Sequence, residues 1–162
     1  MKNRMIPAVI IAAFVATAGP LATANAASPT DAGSSGTLAG FCSFDVAFTV
    51  TGKTKTITKS PTERLITSPG QKVTLSANGK TVSYVVTGSR LEKDVTVGGR
   101  KITEVQVRGR NILLNAIGVT ETPGLILVVG NFNYALDSAG NEVRGVNVNG
   151  PGQVTNVCQV LS

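Results

Sequence analysis

Apolar residues alternate most cleanly between Leu125 and Leu136. Ile126, Val128, Phe132, Tyr134 and Leu136 take the even positions, interrupted only by Gly130. Leu125, Leu127 and Val129 make the odd positions apolar too, before Asn131, Asn133 and Ala135 turn that side polar or small. A period of two in β-branched and aromatic residues predicts a strand. Two apolar faces at its start and one later place that strand in the middle of a sheet.

The same reading supplies its partners. Cys42, Phe44, Val46, Phe48 and Val50 alternate with Ser43, Asp45, Ala47 and Thr49, a strand with one wet face. Lys53 to Lys59 alternates Lys with Thr, and Ser60-Pro61 and Ser68-Pro69-Gly70 are breaks on either side of Leu65-Ile66. Asn78-Gly79 predicts a type I′ hairpin over Gln71–Thr87, with Val73 facing Tyr84, Leu75 facing Val82 and Ala77 facing Lys80. Gly98-Gly99 predicts another between Leu91–Val97 and Arg100–Arg108, with Val95 facing Ile102 and Lys93 facing Glu104. Beyond Glu104 the apolar set shifts to Val105 and Val107, which predicts a bulge or a strand changing sheets. Gly109-Arg110-Asn111 reads as a turn, and Ile112-Leu113-Leu114 as a strand or a helical turn. Thr122-Pro123-Gly124 breaks the chain, Asp137 to Asn141 is a hairpin loop, Glu142 to Val148 returns, and Gln153 to Leu161 is the last strand. About eight to ten short strands at spacings of roughly 8–12 residues predict an all-β, antiparallel β-sandwich, with a closed β-barrel as the alternative.

The N-terminus follows another pattern. Met1 to Arg4 is basic, Met5 to Val15 is apolar, and Ala24-Asn25-Ala26 precedes Ala27 as an A-x-A site. This predicts a signal peptide over residues 1–26, cleaved between Ala26 and Ala27, and a secreted product. Ala22-Thr23-Ala24 is the rival site. Thr17, Gly19, Pro20 and Thr23 break the apolar run short of the roughly 20 residues a membrane span needs. Residues 27–40 are small and polar and read as a flexible leader, leaving 41–162 as one β domain. In an exported chain the two cysteines, Cys42 and Cys158, most simply form one disulfide; free or metal-bound thiols are the alternative.

The early Cys with alternating Phe and Val, Gly109 to Leu113, Val129 to Asn141 and Gly152 to Cys158 resemble segments of a group of small secreted β-proteins from actinobacteria. The resemblance covers residues 41–162. It implies secretion and paired cysteines, and it carries no activity and no site residues.

Charge adds one candidate surface. Without residues 1–26 the chain has 13 basic and 9 acidic side chains, of which 12 basic and four acidic ones lie between Lys53 and Arg110. Lys53, Lys55 and Lys59 share one face of a predicted edge strand. Lysine there protects a sheet edge; the other reading is a contact stripe for anionic cell-wall polymer or a membrane surface.

The chemistry on offer is narrow. With no His in the chain, Ser-His-Asp and Cys-His catalysis and most catalytic zinc sites are excluded. Nucleotide and nucleophile-elbow motifs are absent, so no cofactor is expected. Tyr84 is the one aromatic in the basic stretch, too few to stack nucleic acid. Asp45, Glu92 and Asp94 are strand carboxylates that paired could hydrolyse a glycan. Asp137, Asn141 and Glu142 lack the alternating ligands of a calcium loop. The expectation is a secreted, non-catalytic contact module of the cell envelope; the alternative is a secreted carbohydrate-active hydrolase using paired carboxylates.

Overall fold

The computed structural model describes residues 28–114, 124–148 and 152–162. They form β1 (Thr30–Asp31), β2 (Ser34–Leu38), β3 (Val46–Thr51), β4 (Lys53–Ser60), β5 (Glu63–Thr67), β6 (Gln71–Ala77), β7 (Lys80–Val86), β8 (Ser89–Val97), β9 (Arg100–Leu114), β10 (Leu125–Asp137), β11 (Glu142–Val148), β12 (Gln153–Asn156) and α1 (Val157–Leu161). The larger sheet runs β1-β4-β5-β8-β9-β10-β11, with β12 also on β10; the smaller runs β2-β3-β6-β7. Both are antiparallel and neither closes, so the described strands make a β-sandwich and not a barrel.

The hairpins follow their turn chemistry. Asn78 (φ 52) and Gly79 (φ 75) supply the positive φ values of a type I′ turn. Val73 duly faces Tyr84, Leu75 faces Val82 and Ala77 faces Lys80. Gly98 and Gly99 (φ 56 and 79) do the same for β8 and β9, with Val95 opposite Ile102 and Lys93 opposite Glu104.

Two clusters fill the interior. Val46, Val50, Val73, Leu75 and Val86 of the small sheet pack against Ile112, Leu114, Leu125 and Leu127 of β9 and β10. On the other face of those two strands, Val105, Val107, Leu113, Ile126, Val128, Phe132 and Tyr134 form a second cluster. Leu125 to Val128 is therefore buried on both faces, as its pattern predicts. β9 lies on one side of β10, and β11 and β12 share the other.

The sequence misplaces four details. First, Gly109 to Asn111 is not a turn and the ladder has no bulge after Glu104: β9 pairs with β10 without a register shift from Ile102 to Leu114. Gly109 (φ 76) stands opposite Gly130 (φ 136), so both strands kink together and stay paired. The apolar set moves to Val105 and Val107 because the second cluster lies on the opposite face of β9. Second, the described part of the leader is ordered: β1 pairs with β4 and β2 with β3. Edge-strand hydrogen bonds need no apolar sequence, and two anchors suffice, Ala32 (0% exposed) and Leu38 (4%). The two strands of this leader bring the total above the eight to ten expected.

Third, Gln153 to Leu161 is not one strand. The Asn156 side chain accepts from Gln159 N at 3.2 Å and caps α1. Val157 and Leu161, four residues apart, are then both fully buried. Fourth, Cys42 and Cys158 are bonded, with Cα atoms 5.5 Å apart, yet they do not join two strands. Cys42 precedes β3 and Cys158 lies in α1. A Cβ on Gly124 would fall 1.6 Å from Phe41 O and 3.4 Å from Cys158 Sγ, so only glycine lets the chain enter β10 over the bridge.

Candidate functional site

The second face of the larger sheet carries polar residues beyond its apolar cluster. Cross-strand pairing sets Arg64, Glu92, Val105 and Tyr134 in one row across β5, β8, β9 and β10. The next row holds Asp94, Thr103, Leu136 and Glu142. Beyond it Thr96 faces Lys101 near the β8–β9 turn. Sequence alternation explains the sharing of a face; only the order of strands in the sheet joins the rows.

From these rows Arg64, Asp94, Thr103, Thr96 and Lys101, with the neighbouring Val95 and Ile102, line a pocket of about 540 Å³. Pro61 and Thr62 of the β4–β5 turn form one rim and Ser138 of the β10–β11 loop the other. Those turns are separated by β8 and β9 in sheet order, so the sheet curls around this face. Arg64 and Lys101 bring positive charge to the lining, Asp94 negative charge, and Thr62, Thr96, Thr103 and Ser138 hydroxyls.

The lining is held from behind. Arg64 Nη2 lies 2.9 Å from Glu92 Oε2, and Arg90 Nε lies 2.8 Å from Glu92 Oε1. Arg90 and Glu92 are buried, whereas the Arg64 side chain is 48% exposed toward the pocket. The Arg90 guanidinium faces the Tyr134 hydroxyl, and burial pushes that phenol up to about 12 against the opposing pull of Arg90. Asp94 accepts from Thr103 Oγ1 at 2.7 Å. Its backbone N donates to Thr62 O at 2.8 Å, which fixes the β4–β5 turn to β8.

The Ser138 rim is a closed turn. Asp137 Oδ1 accepts from the backbone N of Ala139 and of Asn141, each at 2.9 Å. Asn141 Nδ2 donates to Oδ2 at 3.0 Å. This carboxylate serves backbone donors, the turn role expected from sequence, and chiefly the Asn141 side chain lowers its pKa. Among the described residues no three of His, Cys, Asp and Glu gather to hold a metal.

Of the three candidate carboxylates, Asp94 lines the pocket, Glu92 is clamped behind it, and Asp45 lies exposed outside any strand, just before β3 of the smaller sheet. The lysine stripe is also divided. β4 is an edge from Lys55 onward, but β1 covers its start and sets Asp31 opposite Lys53. The ladder shifts between Thr58 and Ser60, so Lys59 sits at a bulge, where its Nζ lies 3.3 Å from Glu63 Oε1. Two further cations, Lys93 and Arg144, alternate with Glu63 and Glu104 across the opposite face of this sheet. Glu63 pairs with Lys93, Lys93 with Glu104, and Arg144 Nη2 lies 3.4 Å from Glu104 Oε1.

Sequence reasoning did not single out Arg64, Lys101, Thr96 or Thr103. The β8–β9 register already placed Lys101 beside Thr96 and Thr103 beside Asp94; the missing signal was the long-range pairing of β5 with β8 that adds Arg64. The chain matches no family model, no curated protein and no solved structure.

Proposed function

We propose that this domain is a secreted, non-catalytic binding module that holds anionic cell-envelope material in the pocket of the larger sheet. The pocket itself carries the reading: Arg64 and Lys101 are two cations on one concave wall, interleaved with hydroxyl donors. Export fits the basic, apolar and A-x-A segments of residues 1–26 and the Cys42–Cys158 bridge. The site supports contact better than hydrolysis. Glycoside hydrolysis needs a second carboxylate free to act as nucleophile or base. Glu92, two residues from Asp94, is engaged by two guanidiniums. The lysines of β4 have a sheet-edge role on this reading, since Lys53 and Lys59 each stand beside an acidic side chain.

Co-sedimentation with purified cell wall at low and high salt tests the proposal. Wild type should pellet at low salt and be released as salt rises, because exposed charges are screened beyond about 8 Å at physiological ionic strength. Lys101→Ser should weaken pelleting more than Lys53/Lys55/Lys59→Ser does. Wild type remaining in the supernatant, or pelleting indifferent to both salt and Lys101, would remove the reading. Release of reducing sugar from the wall would establish the hydrolase instead.

A further inference from the structure

We infer that the pocket recognises one acidic polyol unit at a time, meaning a sugar or sugar alcohol that carries a single carboxylate or phosphate. The inference rests on the binding reading above and names its ligand.

The cationic half of the site is set before any ligand arrives. Glu92 fixes Arg64 at 2.9 Å and is itself fixed by Arg90 at 2.8 Å. One carboxylate shared by two guanidiniums neutralises neither alone. The rest of the Arg64 fork remains on the half-exposed side of the group, on the pocket wall. A planar guanidinium with several N–H donors matches carboxylate or phosphate oxygens. Lys101, exposed on β9, supplies a second cation to the same lining.

The rest of the lining offers partners for hydroxyl groups beside the apolar surface of Pro61, Val95 and Ile102. Asp94 is an acceptor oriented by Thr103, and Thr62, Thr96 and Ser138 can donate or accept. A bare anion would use the cations and meet repulsion from Asp94. A neutral sugar would bring no anion to Lys101 or to the exposed side of the Arg64 fork. A polyol bearing one anionic group satisfies both halves together. The volume of about 540 Å³ lies within the roughly 300–1,000 Å³ of small-molecule sites, and the single cationic part of the lining takes one anionic group at a time. A carboxylate glycan and a polyol-phosphate polymer share this chemistry.

Titrating the folded, disulfide-bonded domain by NMR separates them, with D-glucuronate, sn-glycerol 3-phosphate, D-glucose and inorganic phosphate as the four probes. One of the two acidic polyols should bind at least about tenfold more tightly than glucose and than phosphate, and whichever does so identifies the source. Asp94→Asn keeps an acceptor for Thr103 and should bring the preference over inorganic phosphate down to about onefold. Lys101→Gln should weaken both acidic polyols and leave glucose unchanged. Melting temperature serves as the fold control for both variants. Phosphate binding as tightly as either acidic polyol, or Asp94→Asn retaining the full preference, would overturn the inference. Wild-type pelleting with cell wall alongside that result would remove this ligand and leave the binding module standing; failure to pellet removes the module reading itself.

Discussion

Tyr134 carries a hydroxyl into the second core at 4% exposure, one position across the ladder from Val105. Burial raises its pKa to about 12, outweighing the favourable charge of Arg90. An unfolded tyrosine titrates near 10, so the folded state holds this proton more tightly. The associated stability is fully present below pH 10 and is lost as pH rises through 12, a loss on the order of 3 kcal/mol. Urea unfolding at pH 8, 10 and 12 should show an alkaline decline in wild type that is smaller in Tyr134→Phe; equal declines would mean that the phenol titrates freely in the fold. The charged neighbours of Tyr134 explain why this network was illegible in sequence. Isolated charges on a strand are usually exposed, so nothing in the sequence marks Arg64 and Arg90 as partners of Glu92. Arg90 and Glu92 are buried here because each is paired, Glu92 with both arginines and Arg90 with Glu92, while Arg64 keeps its outer side exposed.

At the scale of elements, what sequence could specify was local. A two-residue turn and its flanking alternation fix register by themselves, and the β6–β7 and β8–β9 hairpins agree residue for residue. β9 was misread because glycine usually punctuates a chain. Here Gly109 kinks a strand without ending it, since Gly130 kinks in step across the ladder. The same limit hid the pocket: Asp94, Thr103, Lys101 and Thr96 followed from a hairpin, while Arg64 arrives from β5 and Ser138 from the β10–β11 loop, whose neighbours across the sheet no local pattern names. Two glycines of matching φ separate strain from crowding. A Cβ on Gly79 (φ 75) meets open space, whereas one on Gly109 (φ 76) falls 3.2 Å from Gly88 Cα. Backbone strain of roughly 1–3 kcal/mol is common to both. Gly109→Ala should therefore lower stability by more than Gly79→Ala in denaturant unfolding, and equal losses would show that β9 and the β7–β8 connection yield at this crossing.

Across the whole molecule, the two ends of the described chain are tied by different devices. The N-terminal arm gives one edge strand to each sheet, β1 on β4 and β2 on β3, and buries Ala32 and Leu38. The C-terminal α1 buries Val157 and Leu161 and is met by the β6–β7 turn, whose Asn78 Nδ2 donates to Leu161 O at 3.0 Å. The helix has five residues, too few to persist without tertiary support. The Cys42–Cys158 bridge provides part of that support, since it holds α1 against the segment that enters β3. Its sequence separation of 116 also makes it the long-range constraint on the unfolded chain, worth about 5 kcal/mol in the chain-entropy model. A domain whose total stability is roughly 5–15 kcal/mol should feel that loss strongly. Cys42→Ala with Cys158→Ala is expected to lower the denaturant midpoint and the melting temperature sharply. Hydrogen exchange should rise first in α1, while the β6–β7 hairpin keeps its protection because its hydrogen bonds are local. An unchanged midpoint, or protection lost from that hairpin before α1, would mean that the bridge closes on an assembly already held by the sheets alone.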